Sequence, residues 1–232
     1  SPLEFSGLKL WLDASELSSA GSTWADKSGN GNSATKNGSP TVVQNEQNGH
    51  SVIRYPGAAT DYHEWNDIND IRTVFWAIKA DSANTGWILA DDTQYHFHGD
   101  TYFWVVHANS NVKNGALKVN GSTLNGQTAN MNSSLANFSI VSLRTTGNVE
   151  ASRFSKDRYE NFRNWKGDLG ELLIYNTALS DLEILKIETY LSEKWGVNLP
   201  SNAKKFNLGA KDSSNNNHHG VLRKTFSPSD LS

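Results

Sequence analysis

Residues 167–196, GDLGELLIYNTALSDLEILKIETYLSEKWG, allow few folds. The segment opens as a strand, with Leu169, Glu171, Leu173 and Tyr175 pointing one way and Leu172 and Ile174 the other. A run that is apolar on both faces needs cover on both sides, so it predicts a strand packed between layers. Asn176 to Ala178 turn the chain. Ser180 and Glu183 then form a Ser-x-x-Glu capping box, which satisfies free amides at a helix start. Leu182, Leu185, Tyr190, Leu191 and Trp195 follow at helical spacing, and Gly196 supplies the stop. No other stretch reads as convincingly as a helix.

Eight Trp, seven Tyr and nine Phe against one Met point to a β protein with aromatic layers. At 232 residues the chain is long enough for one large β domain. A net charge of −3 gives no pull toward nucleic acid or an anionic membrane. No run of about 18 apolar residues is present, so no membrane insertion is expected. The chain opens without a signal peptide pattern. The absence of cysteine excludes disulfides and thiol catalysis.

Residues 8–13 alternate as a first strand. Residues 42–43 and 51–55 read as strands around the turn pair Asn48-Gly49, and Asn114-Gly115 and Asn120-Gly121 are further hairpin signals. Residues 73–79, 87–90 and 138–145 are apolar β runs, while 57–70 and 147–166 read as loops, the latter with an edge strand as its alternative. Residues 91–107, DDTQYHFHGDTYFWVVH, predict a hairpin with alternating rings and histidines. Residues 199–232 are polar and broken by Pro200 and Pro228, as expected of an extension or linker. The last six residues, SPSDLS, echo the first six, SPLEFS, which suggests neighbouring domains in a modular array.

Three motifs carry a resemblance. They are Gly7-Leu8-Lys9-Leu10-Trp11-Leu12-Asp13-Ala14, then WADKSGNGN at 24–32, then Y-N-x-x-L-S-x-x-E from Tyr175 to Glu183 with the helix ending at Trp195-Gly196. Over residues 6–197 the chain resembles bacterial LamG-like domains of the concanavalin A-like lectin/glucanase superfamily. The resemblance implies an all-β fold over residues 1–198: a two-sheet antiparallel β-sandwich (jelly roll) with one short C-terminal α-helix. It also implies a non-catalytic carbohydrate-binding or adhesion module of a secreted or cell-surface, multi-domain bacterial protein, with a polysaccharide or glycan as partner. The superfamily hosts several chemistries, so a glycoside hydrolase or polysaccharide lyase of the same fold stays open, as does a structural or protein-binding spacer.

Sugar recognition needs ring faces to stack on a pyranose and polar groups to bond its hydroxyls. The candidates are Tyr62, His63 and Trp65 in the first polar loop, and Tyr95, His96, His98, Tyr102, Trp104 and His107 in the expected hairpin. His96 and His98 also have the spacing of metal ligands, with Asp91, Asp92 or His107 to complete the set; the alternative is a hydrogen-bonded pair. Asp26 in the DKSGNGN turn is a candidate Ca²⁺ ligand or, alternatively, an anchor for its own turn. The resemblance implies Ca²⁺ as a companion ion, although no acidic cluster in the sequence demands it. A glycosidase needs two carboxylates on one cleft; Asp168 and Glu171 come nearest, but their spacing of three puts them on opposite faces of a regular strand.

Overall fold

The computed structural model describes residues 1–81, 87–93, 96–97, 99–158 and 163–200. Among the described residues ten strands run in the order β1 (Leu8–Asp13), β2 (Thr23–Trp24), β3 (Ala34–Asn37), β4 (Thr41–Gln47), β5 (His50–Pro56), β6 (Tyr62–Ala80), β7 (Ala116–Val119), β8 (Ser122–Leu124), β9 (Ser139–Phe154) and β10 (Lys166–Tyr175). The helix α3 (Asp181–Trp195) closes the fold, and two single turns, α1 (Ser110–Lys113) and α2 (Met131–Ser134), sit in connections. Asn48 and Gly49 both take positive φ, and so do Asn120 and Gly121, which lets each pair close its hairpin.

All strand pairs are antiparallel. The main layer runs β4-β5-β10-β6-β9-β7-β8, and β1 joins the C-terminal half of β10. The second layer is built by the first half of β6, which pairs with β3 and with the last part of β9. Bulges between Glu64 and Thr73 bend β6 from one layer into the other. Rings meet across the gap: Tyr55 of the main layer hydrogen-bonds His63 of the second at 2.7 Å and lies 4.9 Å from Phe154. The result is the expected β-sandwich, with Leu10, Trp24, Trp65, Trp76, Trp104 and Leu172 in its core.

Several regions depart from the local reading. Residues 62–70 are strand rather than loop, and β9 continues to Phe154. Residues 87–90 are buried, but only Ala90 makes a bridge, to Arg153. The described part of 91–107 forms no hairpin; Tyr102 bridges to Asn130 instead. The helix buries Ile184, Ile187, Leu191 and Trp195, whereas Leu182 is exposed. Both stripes have helical spacing, and the one nearer the apolar sheet face wins by burying more surface. The helix covers the outer face of the main layer against Phe75, Ile140, Leu173 and Tyr175.

Gly170 sets the phase of β10. A bulge there shifts the pairing from Leu169–Ile78 to Glu171–Ala77, so Leu169 joins the sandwich core with Leu172. Glycine is required because a Cβ would come within 2.7 Å of the Trp195 ring and 2.9 Å of Phe138. The extra residue also corrects the expectation for the two acids: Asp168 and Glu171 share the helix-side face.

One buried acid on the helix is poorly satisfied. Glu188 accepts from Ser142 Oγ at 2.6 Å through Oε1, but Oε2 has no partner. Burial pushes its carboxyl above the usual range. The folded state therefore holds the proton more tightly, and stability is lost as pH rises past the ordinary Glu value. Glu188→Gln is expected to add about 1 kcal/mol at pH 7, and nothing at pH 4, by urea denaturation.

Candidate functional site

The bulges that bend β6 and β9 also open a cleft on the outer face of the second layer. Alternation along β6 turns His63 and Trp65 into the core and leaves Tyr62 and Glu64 outside. On β9 the Ser152 and Arg153 amides both donate to Ala90 O, at 2.9 and 3.1 Å. That two-against-one pairing is a bulge. The cleft holds about 420 Å³ and is lined by Ser33, Glu64, Trp65, Asp67, Asp92 and Arg153, among others.

Tyr62 stands beside the cleft. Its ring lies 4.6 Å from Lys156 Nζ and 5.9 Å from the Arg153 guanidinium. Partial burial, with Glu64 adding, pushes its hydroxyl pKa up, so the ring stays a neutral donor. Three buried polar atoms of lining residues, Trp65 Nε1, Ser152 Oγ and Arg153 Nε, have no hydrogen-bond partner.

Three carboxylates converge at one side of this cleft. Oxygens of Asp67, Asp91 and Asp92 all lie within 4.8 Å of one another, and Asp91 is 2% exposed. Asp91 Oδ1 accepts from Thr93 N and Oγ1 at 2.7 and 2.8 Å. Arg153 Nη2 is 3.9 Å from Asp92 Oδ2. The excess of negative charge reaches Glu150, whose carboxyl is pushed up by burial and then by Asp91. A hard cation with oxygen ligands fits this donor set, with Ser152 Oγ as a further oxygen in the lining.

The sequence candidates divide sharply. Tyr62 is half-buried beside the cleft, and Trp65 forms part of its wall from the core side. His63 and Trp104 are core residues, so neither presents a ring to a ligand. His96 is half-buried and accepts the Glu150 amide on Nδ1 at 2.8 Å, which leaves its proton on Nε2 and takes Nδ1 from any metal. Tyr102 and His107 are exposed elsewhere, outside the cleft lining. Tyr95 and His98 lie outside the described residues. Asp91 and Asp92 do meet a third acid, but it is Asp67 rather than a histidine.

Asp26 is an anchor, not a free ligand. Its carboxylate accepts from Trp11 N, Ser28 N, Ser28 Oγ and Asn32 N at 2.8–3.0 Å, tying the turn to β1. Asp168 is held by both arms of Arg54, at 2.7 and 2.8 Å. Glu171 is sealed and accepts from Trp11 Nε1, Tyr190 Oη, Lys194 Nζ and Trp195 Nε1. Asp168 is tied to Arg54 at the edge of another cavity while Glu171 is sealed in the interior, so the two acids do not face one open space.

The cleft's Asp67, Ser152 and Arg153 escaped the sequence reading. The signal was there in Trp65-Asn66-Asp67-Ile68-Asn69-Asp70-Ile71, where two polar residues at a time interrupt the alternation and mark the bulges.

Comparison with known proteins adds little. No family model matches the chain. No curated protein matches it either. Among solved structures the chain is similar to domain 4 of AbnA, an extracellular GH43 arabinanase from Geobacillus stearothermophilus, in complex with arabinotriose. That likeness has 15% identity and a TM-score of 0.41, over 82% of this chain and 98% of the other. Among the described residues no helix is long and apolar enough to cross a membrane.

Proposed function

We propose that this chain is a LamG-like, non-catalytic glycan-binding module of a secreted, modular bacterial protein, and that sugar binds in the cleft over the second layer. The observation that carries the reading is the cleft itself. It places a guanidinium, a carboxylate, and a buried indole N–H and hydroxyl without partners around one open space, with the Tyr62 ring beside Arg153. Sugar hydroxyls both donate and accept, so they suit such a mixed lining. Ca²⁺ held by Asp67, Asp91 and Asp92 would fix the cleft wall and neutralise acids that face one another. The ion would supply a positive charge to sugar hydroxyls, while Arg153 and Glu64 orient the ring.

A glycan array run with Ca²⁺ and with chelator tests this reading. The expected result is a set of hits that weakens in chelator and disappears in Arg153→Ala. An array without hits favours the spacer. Turnover of a polysaccharide that is lost in Asp67→Asn while binding persists makes the site an enzyme.

The cation has its own test. Saturating Ca²⁺ at about 100 times its Kd should raise stability by about 2.7 kcal/mol, read as a higher Tm. Asp67→Asn should abolish that rise while leaving the ion-free Tm within a few degrees. A wild-type Tm indifferent to Ca²⁺ removes the ion from the account.

A further inference from the structure

The sandwich has a second and larger opening, lined by residues of β4, β5, β6 and β10. The helix covers only part of the outer face of the main layer. Beyond its C-terminal end lies a cavity of about 660 Å³, within the range of small-molecule sites. Its floor includes a single cross-strand row. Thr41 on β4 pairs with Arg54 on β5, Arg54 with Asp168 on β10, and Asp168 with Lys79 on β6. The bulge at Gly170 keeps this row in phase with the helix-side face.

The charges in the row are unequal in their satisfaction. Arg54 grips Asp168 with Nε and Nη2, and Nη2 also reaches Glu46 at 2.7 Å on the rim. Lys166 pairs with Asp81 at 3.0 Å. Lys79 is half-buried and lines the same space, yet it has no hydrogen bond or ion pair among the described residues. The lining thus carries three cations, Arg54, Lys79 and Lys166, against two carboxylates, Asp81 and Asp168. Both Asp168 oxygens accept from the guanidinium fork, and neither is within ion-pair distance of Lys79. The row therefore runs cation, anion, cation across β5, β10 and β6. Ser39 and Thr41 add hydroxyls at the other side of the cavity.

We propose that this cavity is a second binding site, for the anionic group of an acidic sugar, a carboxylate or a sulfate ester, with Lys79 as its charge partner. The sugar rests on the glycan-binding reading above, whereas the site is separate from the cleft of the second layer.

Amide shift titration of the ¹⁵N-labelled chain tests it with galacturonate, galactose 6-sulfate, neutral galactose and inorganic sulfate. Saturable shifts at Thr41, Arg54, Lys79 and Asp168 are expected with both acidic sugars, at least tenfold weaker with galactose, and weaker again in high salt. Lys79→Gln should lower the affinity at least tenfold, and Lys79→Arg should restore it. Tyr62→Ala, in the other opening, should leave these shifts unchanged, so the two sites can fail separately. Inorganic sulfate equal to the sulfated sugar would show that the site reads the anion; a weaker response would show that the sugar ring also contributes. Absence of shifts at the row with all four compounds, or an unchanged affinity in a Lys79→Gln protein whose remaining spectrum is native, overturns the proposal.

Discussion

Glu171→Gln is expected to destabilise the fold by about 3–5 kcal/mol, the largest single effect predicted for this chain. The carboxylate is fully buried and takes four donors from two elements, Trp11 on β1 and Tyr190, Lys194 and Trp195 on α3. Lys194 bridges it at 2.8 Å to Asp13, whose other oxygen binds Lys27 at 2.7 Å. The amide keeps one acceptor but turns two donors toward an indole N–H and an ammonium that are themselves donors. Lys194, only 15% exposed, then has half its compensation. The midpoint of urea unfolding should fall sharply with an unchanged slope. A loss under 1 kcal/mol would mean that the helix is held by its apolar stripe alone.

The second large effect is acid sensitivity through His63. Burial, reinforced by Lys36, lowers its pKa to about 3, against an ordinary value of 6.5. Tyr55 Oη and its Nδ1 share a hydrogen bond of 2.7 Å within the core, and Trp24 packs edge-on at 5.5 Å. Between the two pKa values the unfolded chain binds a proton that the folded chain refuses. Stability is therefore intact above pH 6.5 and falls by about 1.4 kcal/mol per unit as pH drops toward 3. From pH 6.5 to 4 that amounts to roughly 3 kcal/mol. Asp13, lowered to about 2 by Lys194 and Lys27 against its burial, gives stability that is lost only below its ordinary 3.8, so the two windows separate. His63→Gln should start lower at pH 7 yet lack the slope between pH 6.5 and 4. Parallel pH profiles for the two proteins would assign the slope elsewhere.

The sequence revealed what is decided locally. Asn48-Gly49 and Asn120-Gly121 close hairpins because only such residues take the turn's φ, and Ser180–Glu183 caps the helix with its own side chains. Positions that depend on phase were lost. Gly170 shifts β10 by one residue because Trp195, 25 residues later, needs the space, and that brings Asp168 and Glu171 to one face. The helix stripe was legible at Leu191 and Trp195 but not in the first turns, where Leu182 and Leu185 are as regular as Ile184 and Ile187 until a sheet selects one face. The cleft was less legible still. Asp67 meets Asp91 and Asp92 only because β6 and β9 are bulged side by side, and no local pattern announces a contact between distant segments.

The most direct test of the glycan account is shift mapping with an oligosaccharide that the array identifies, in the presence of Ca²⁺. The account predicts that the largest changes fall on Tyr62, Glu64, Asp67, Asp92, Ser152 and Arg153, and that they vanish in Arg153→Ala. Saturable binding whose shifts cluster instead around Tyr102 and His107, with the cleft residues unmoved, would contradict it.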